Sequence, residues 1–271
     1  MSLSEQPSAV KSPRTRLLIV GAVVAVVAVA LVGWLVLPGK SRTAASGSVL
    51  TGDIVKQVLL DGGELTAMLD QPFKSAPGSL VYGGFDEMDN SSPPSDCVGV
   101  VDVAPQAVYQ PSDVHSYVRE TWAASEPGHA DFQPLNTKVM FVKEAVVAMP
   151  TAADAQAVFA KFAERWKGCD GKAVNHEPIT PGADSPPQLP GTEMHIQNVR
   201  ITDSILSASI VLDKNPKAPD TRAVGIQGNC IIGVLIAFTG VPNATGSANP
   251  ESSSTDAVQA MLTKVADLTK A

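Results

Sequence analysis

Leu17–Leu37 contains no charged residue, and that run constrains this chain more than any other feature. A helix rises about 1.5 Å per residue, so roughly 20 apolar residues match a hydrocarbon core of about 30 Å. A secretory signal has a shorter apolar run, about 7–15 residues, and ends at a small-residue cleavage site. Here the run ends in Pro38-Gly39-Lys40, and the nearest cleavage-like pair, Ala44-Ala45, lies beyond Lys40 and Arg42. No cysteine stands at its end to carry a lipid. The run reads as an uncleaved signal anchor. Lys11, Arg14 and Arg16 precede it and Lys40 and Arg42 follow, a slight positive-inside bias. The large domain beyond the span favours the same orientation. The expected layout is a cytoplasmic tail at 1–16, a transmembrane anchor at 17–37, a linker at 38–49 and one folded domain at 50–271. That makes a single-pass protein of the cell membrane with its C-terminal domain outside the cytoplasm.

Charge narrows the partners of that domain. Residues 44–271 hold 15 Lys and Arg against 26 Asp and Glu, a net charge of −11 with histidine neutral. Nucleic acid and anionic lipid surfaces are bound through basic patches, so both are excluded as main partners.

Pattern gives the fold class. Phe159, Phe162, Ala163 and Trp166 recur at helical spacing within Thr151–Cys169, with Thr151 and Asp154 as a capping box. Val258, Met261, Leu262, Val265 and Leu268 form a second stripe over 255–269, headed by Ser253 and Asp256. Helices are also expected at Gly52–Asp70, interrupted at Gly62-Gly63, and at Ser112–Ser125 through Val114, Tyr117, Val118 and Trp122. Strands are expected at Leu80–Tyr82, Cys97–Val103, Lys138–Met149, His195–Ile201, Ile205–Leu212 and Cys230–Phe238, with His195–Leu212 a hairpin. Asp213–Asp220 and the proline-rich stretches 71–96 and 170–192 read as loops. Mixed order with a hairpin predicts α+β: an antiparallel sheet carrying helices mainly on one face, preceded by one transmembrane helix.

Chemistry is sparse. Outside the cytoplasm cysteines tend to pair. Cys97 and Cys169 sit at element ends, where bridging is easy, and Cys230 reads as a small buried hydrophobe with a free thiol. Cys97–Cys169 is the favoured bridge, with other pairings or none left open. No Cys-x-x-Cys or nearby histidine pair suggests zinc. The cluster Asp86, Glu87 and Asp89 lacks the spacing of a calcium loop. No nucleophile elbow, His-Glu-x-x-His, P-loop or dinucleotide fingerprint is present, and His115, His129, His176 and His195 are scattered. The expectation is no enzyme, no catalytic residue, no cofactor and no metal.

Asp96-Cys97-Val98-Gly99, Pro105, Val108-Tyr109, Ala145-Val146-Val147, Pro150-Thr151-Ala152 and Trp166-Lys167-Gly168-Cys169 together resemble the PknH-like extracytoplasmic sensor domain of mycobacteria and related actinobacteria. Arg222-Ala223-Val224 and Asn229-Cys230-Ile231-Ile232-Gly233-Val234 resemble diverged forms of its late strand signatures. The resemblance covers roughly residues 50–269. It implies a sheet with helices, an open ligand cleft, no catalytic residues and two disulfides. Cys97 and Cys169 match the first bridge. A second is impossible with three cysteines, and Cys230 falls where the family has an apolar strand residue. The expected function is a sensor-like domain binding a small or lipid-like envelope ligand. The alternative is a structural envelope protein or docking scaffold. With about 16 residues before the span, any signal would leave through a membrane-protein partner.

Overall fold

The computed structural model describes residues 48–90, 96–110, 112–125, 136–176 and 192–270. The expected span at 17–37 and His129 lie outside these residues. Among the described residues no helix is long and apolar enough to cross a membrane.

A nine-stranded antiparallel sheet organises the domain. Its strands are β1 (Phe73–Ser75), β2 (Val81–Gly83), β3 (Ser116–Ala124), β4 (Val139–Ala148), β5 (Ala173–His176), β6 (Thr192–Ile201), β7 (Ile205–Leu212), β8 (Asn215–Gln227) and β9 (Cys230–Phe238). They run β1-β3-β4-β9-β8-β7-β6-β5, and β2 pairs with the other end of β3 beyond β1. The α+β class and the antiparallel sheet are borne out. The expected placement of helices on one face is not. All nine residues of β9 are buried, and a strand apolar on both sides needs cover on both. Tyr117, Val147 and Ile231 pack with helices α2 (Val98–Val101), α3 (Gln106–Tyr109) and α4 (Ala152–Lys167). Their neighbours Val118, Val146 and Ile232 pack with α1 (Gly62–Leu69), α5 (Ser253–Leu268) and the 3₁₀ segment Gly52–Val58. The sheet is the middle layer of three.

Three further expectations are corrected. Ser112–Ser125 is strand β3, not a helix: its ladder to β4 runs from Ser116↔Ala148 to Ala123↔Phe141. Tyr117 and Val118 are both buried because they face opposite layers, and two apolar faces of a strand imitate a helical stripe. Cys97–Val103 is a helical turn, α2, not a strand; a short apolar run does not distinguish the two. Asp213–Asp220 is mostly the start of β8. Its ladder jumps from Ile210↔Asp220 to Leu212↔Asn215, and Pro216 and Pro219 sit inside that bulge, where ladder donors are not required.

The long helices form for local reasons. Thr151 Oγ1 accepts from the Asp154 amide at 3.1 Å, so the cap of α4 holds. The expected capping box of α5 does not form. Ser252 is its N-cap and makes no side-chain cap bond, while Ser253 Oγ accepts from the Asn249 amide at 2.8 Å. Gly225 lets α5 settle on β8, since a Cβ there would stand 2.5 Å from a Val258 methyl.

Candidate functional site: a polar groove at the start of α5

Helix α5 lies over β8 and β9, and its N-terminal end overhangs the neighbouring strands. A groove of about 120 Å³ opens there, between β6, β7, β8 and the residues leading into α5. Strand alternation builds its floor. On β7, Leu206, Ala208 and Ile210 are buried under the α4 layer, which leaves Ser207 and Ser209 on the opposite face. Ser209 stands opposite Thr221 and Ser207 opposite Ala223, so Thr221 joins the same face from β8.

Arg200 arrives by a different device. Gln197 pairs with Ser209 and Arg200 with Ser207, so Asn198 and Val199 on β6 stand against Ala208 alone on β7. The extra residue is a β-bulge. Asn198 adopts φ 57°, a left-handed conformation that asparagine tolerates. Without the bulge, odd spacing would put Arg200 on the face opposite Gln197. With it, the guanidinium lines the groove. Among the described residues it has no ion-pair partner. Glu251 and Ser254 complete the rim from the α5 side. Thr221 is 1% exposed and its Oγ1 has no hydrogen-bond partner among the described residues. A hydroxyl sealed from water without a partner is costly and rare.

The residues singled out in the sequence lie elsewhere. Cys97 and Cys169 are joined by a disulfide with Cα atoms 5.7 Å apart, tying α2 to the end of α4. Cys230 is a buried free thiol on β9, pushed up to about 12 by burial. Labelling of the denatured, unreduced chain should therefore tag one cysteine, Cys230, and the native chain none. A label on Cys97 would overturn the bridge. His115 is exposed just before β3. His195 Nε2 stands 2.6 Å from Asp213 Oδ1 and 3.7 Å from Glu193 Oε1. These three are the one group with cation-holding spacing among the described residues. All are partly exposed, and the His195–Asp213 hydrogen bond accounts for their closeness.

A second polar group is internal. Arg119 pairs with Asp89 at 3.1 Å and Lys143 with Asp102 at 2.8 Å, near the fully buried Arg222. Burial, then the charges of Asp89 and Asp102, push the Tyr117 phenol up to about 12, with Arg119 opposing. The two ion pairs fasten Asp89 to β3 and Asp102 to β4.

Disulfides persist outside the reducing cytoplasm, so fold and bridge define a class, the disulfide-stapled α+β domain of an extracytoplasmic compartment. The chain belongs to the family of PknH-like extracellular domains, whose model matches residues 50–264. The crystal structure of the extracellular domain of PknH from Mycobacterium tuberculosis superposes with a TM-score of 0.62 at 18% identity, over 82% of this chain and 99% of that one. An uncharacterised protein from Mycobacterium smegmatis gives a TM-score of 0.31 at 10% identity, over 78% and 95%. No curated protein matches the sequence.

Proposed function

We propose that the chain is a single-pass membrane protein, anchored through Leu17–Leu37, that presents this extracellular domain as a non-catalytic, sensor-like binding module. The groove beside Thr221 is the observation that carries the reading. Its unpaired hydroxyl, its guanidinium and its half-buried serines are recognition groups without internal partners among the described residues. Its polarity and its volume of about 120 Å³ favour a small polar group over a lipid chain. Drug-sized ligands occupy about 300–1,000 Å³. The sequence supports the anchor independently, through the uncharged run and the missing cleavage site.

Two measurements test the two halves of the proposal. Reporter fusions at the C-terminus should be active only outside the cytoplasm, and the mature protein should keep its N-terminus. A soluble form beginning near Ala45 would remove the anchor. For binding, the full chain in detergent is screened by thermal shift against cell-envelope extracts. Ligand at 100 times its dissociation constant adds about 2.7 kcal/mol of stability. Ser209→Tyr, which fills the groove from its floor, should abolish the shift. A shift that survives this substitution, or none in any fraction, gives way to the docking-scaffold reading.

A further inference from the structure

We infer that the groove at the start of α5 takes a phosphate group, as free phosphate or as the phosphoryl head of a larger molecule. The inference rests on the groove being a ligand site and adds the chemistry of what enters it. Four observations converge. Arg200 brings a permanent positive charge with no ion-pair partner among the described residues. The N-terminus of α5, a helix running Ser253–Leu268, has no side-chain cap, so the positive end of its dipole meets the groove where Ser254 lines it. Ser207 and Ser209 add hydroxyl donors from the floor. Thr221 lines the groove, and its buried Oγ1 beside it has no hydrogen-bond partner among the described residues. An oxyanion suits all four, because Arg200 and the helix end are positive and the hydroxyls can donate to its charged oxygens.

Size and surrounding charge sharpen the choice. A volume of about 120 Å³ has room for a tetrahedral oxyanion and is small for a drug-sized ligand. The rest of the domain is acidic, so nonspecific attraction of anions is absent and the local donors must supply the affinity. Glu251 on the rim opposes them. An anion site must therefore respond in opposite directions to loss of Arg200 and loss of Glu251.

The test titrates the full chain in detergent with inorganic phosphate, glycerol 3-phosphate and glucose, following chemical shifts and melting temperature. Phosphate should bind saturably, and glucose should not. Arg200→Gln should weaken phosphate about tenfold or more, the loss of one charge-assisted contact. Glu251→Gln should tighten it about two- to fivefold. Lys161→Gln, a charge loss on the exposed side of α4, should change nothing. Thr221→Val gives the signature that a structural role cannot: binding weakens while the melting temperature holds or rises, because an unpaired buried hydroxyl has gone. Tighter binding of glycerol 3-phosphate than of inorganic phosphate assigns the group to a phosphorylated molecule; equal binding assigns it to free phosphate. If phosphate does not bind, or if Arg200→Gln and Glu251→Gln move it the same way, the inference is overturned. If the envelope-extract shift is then still abolished by Ser209→Tyr, the groove binds a neutral ligand and only the phosphate inference fails. If that shift is absent as well, the groove is no ligand site and both readings fall.

Discussion

Arg222→Ala should destabilise the domain by about 3–5 kcal/mol, measured by urea unfolding. Arg222 is 1% exposed and sits on the α4 face of β8. Its Nε donates to the Asp102 carbonyl at 3.2 Å, and its Nη1 donates to the carbonyls of Val234, at 2.9 Å, and of Ala223. Gly233 makes room for the guanidinium, since a Cβ there would meet Nη2 at 2.9 Å. Burial lowers the pKa to about 10, which Tyr109 and Asp102 oppose, so the group stays charged at neutral pH. The side chain is a bracket between the sheet and the segment carrying α2 and α3. Alanine removes the donors and leaves a void, two independent costs. Arg222→Met separates them. Methionine fills much of the volume with no donor, and a buried charge replaced by an apolar side chain can be neutral. Here methionine should recover less than half of the loss, because the Asp102 carbonyl keeps no partner from this side chain. Full recovery would mean that the guanidinium contributes volume alone.

Elements with one buried face were legible in the sequence; of those with two, β4 and β9 read as strands and β3 did not. α4 was readable because its apolar face is backed by charged and small residues, and Val158, Phe159, Phe162 and Trp166 are buried as their spacing requires. The β6–β7 hairpin was readable from alternation about Thr202-Asp203-Ser204. β3 was misread because Tyr117 goes into one layer and Val118 into the other. β9 carried the same information more plainly. Nine consecutive buried residues imply helices on both faces, which the order of elements alone did not reveal.

The groove was half legible. Ser207 and Ser209 alternate with buried residues within Ile205–Leu212, the ordinary mark of a polar face. Arg200 could not be assigned to that face, because a bulge reverses the parity of everything beyond it. Thr221 lies in β8, whose beginning looked like a polar loop, and its missing partner is a tertiary fact. The proline-rich stretches 71–96 and 170–192 do not supply the groove's lining residues. Strand faces and one helix end build it instead.

The domain should also lose stability as the pH rises from about 6 to about 8, and Glu144 is the reason. Its carboxylate is fully buried on the α5 face of β4. Oε2 accepts from the Leu60 amide at 3.1 Å and Oε1 from the Trp122 indole at 2.9 Å. Burial pushes its pKa up to about 8; the two hydrogen bonds pull the other way, the Glu120 charge adds to the rise, and Lys264 opposes it. Below about 4.5 both folded and unfolded chains hold the proton. Between there and about 8 the unfolded chain has released it and the folded one has not, so unfolding is increasingly favoured as pH rises, and the loss levels off above 8. The whole window is worth on the order of 4 kcal/mol. Asp220, raised by burial to about 6, adds a smaller loss of the same sign that is complete about one pH unit higher. The slope above about 7 therefore isolates Glu144 from Asp220. Glu144→Gln should flatten it. The amide has one oxygen for two donors, so the variant should be less stable than the parent by about 1–3 kcal/mol in acid. The gap should close towards pH 8, where the parent bears a buried charge that the variant lacks. Urea unfolding of both proteins across the window reads the two curves. Parallel curves, or a parent whose stability rises with pH, would show that Glu144 is not the buried neutral acid this geometry requires.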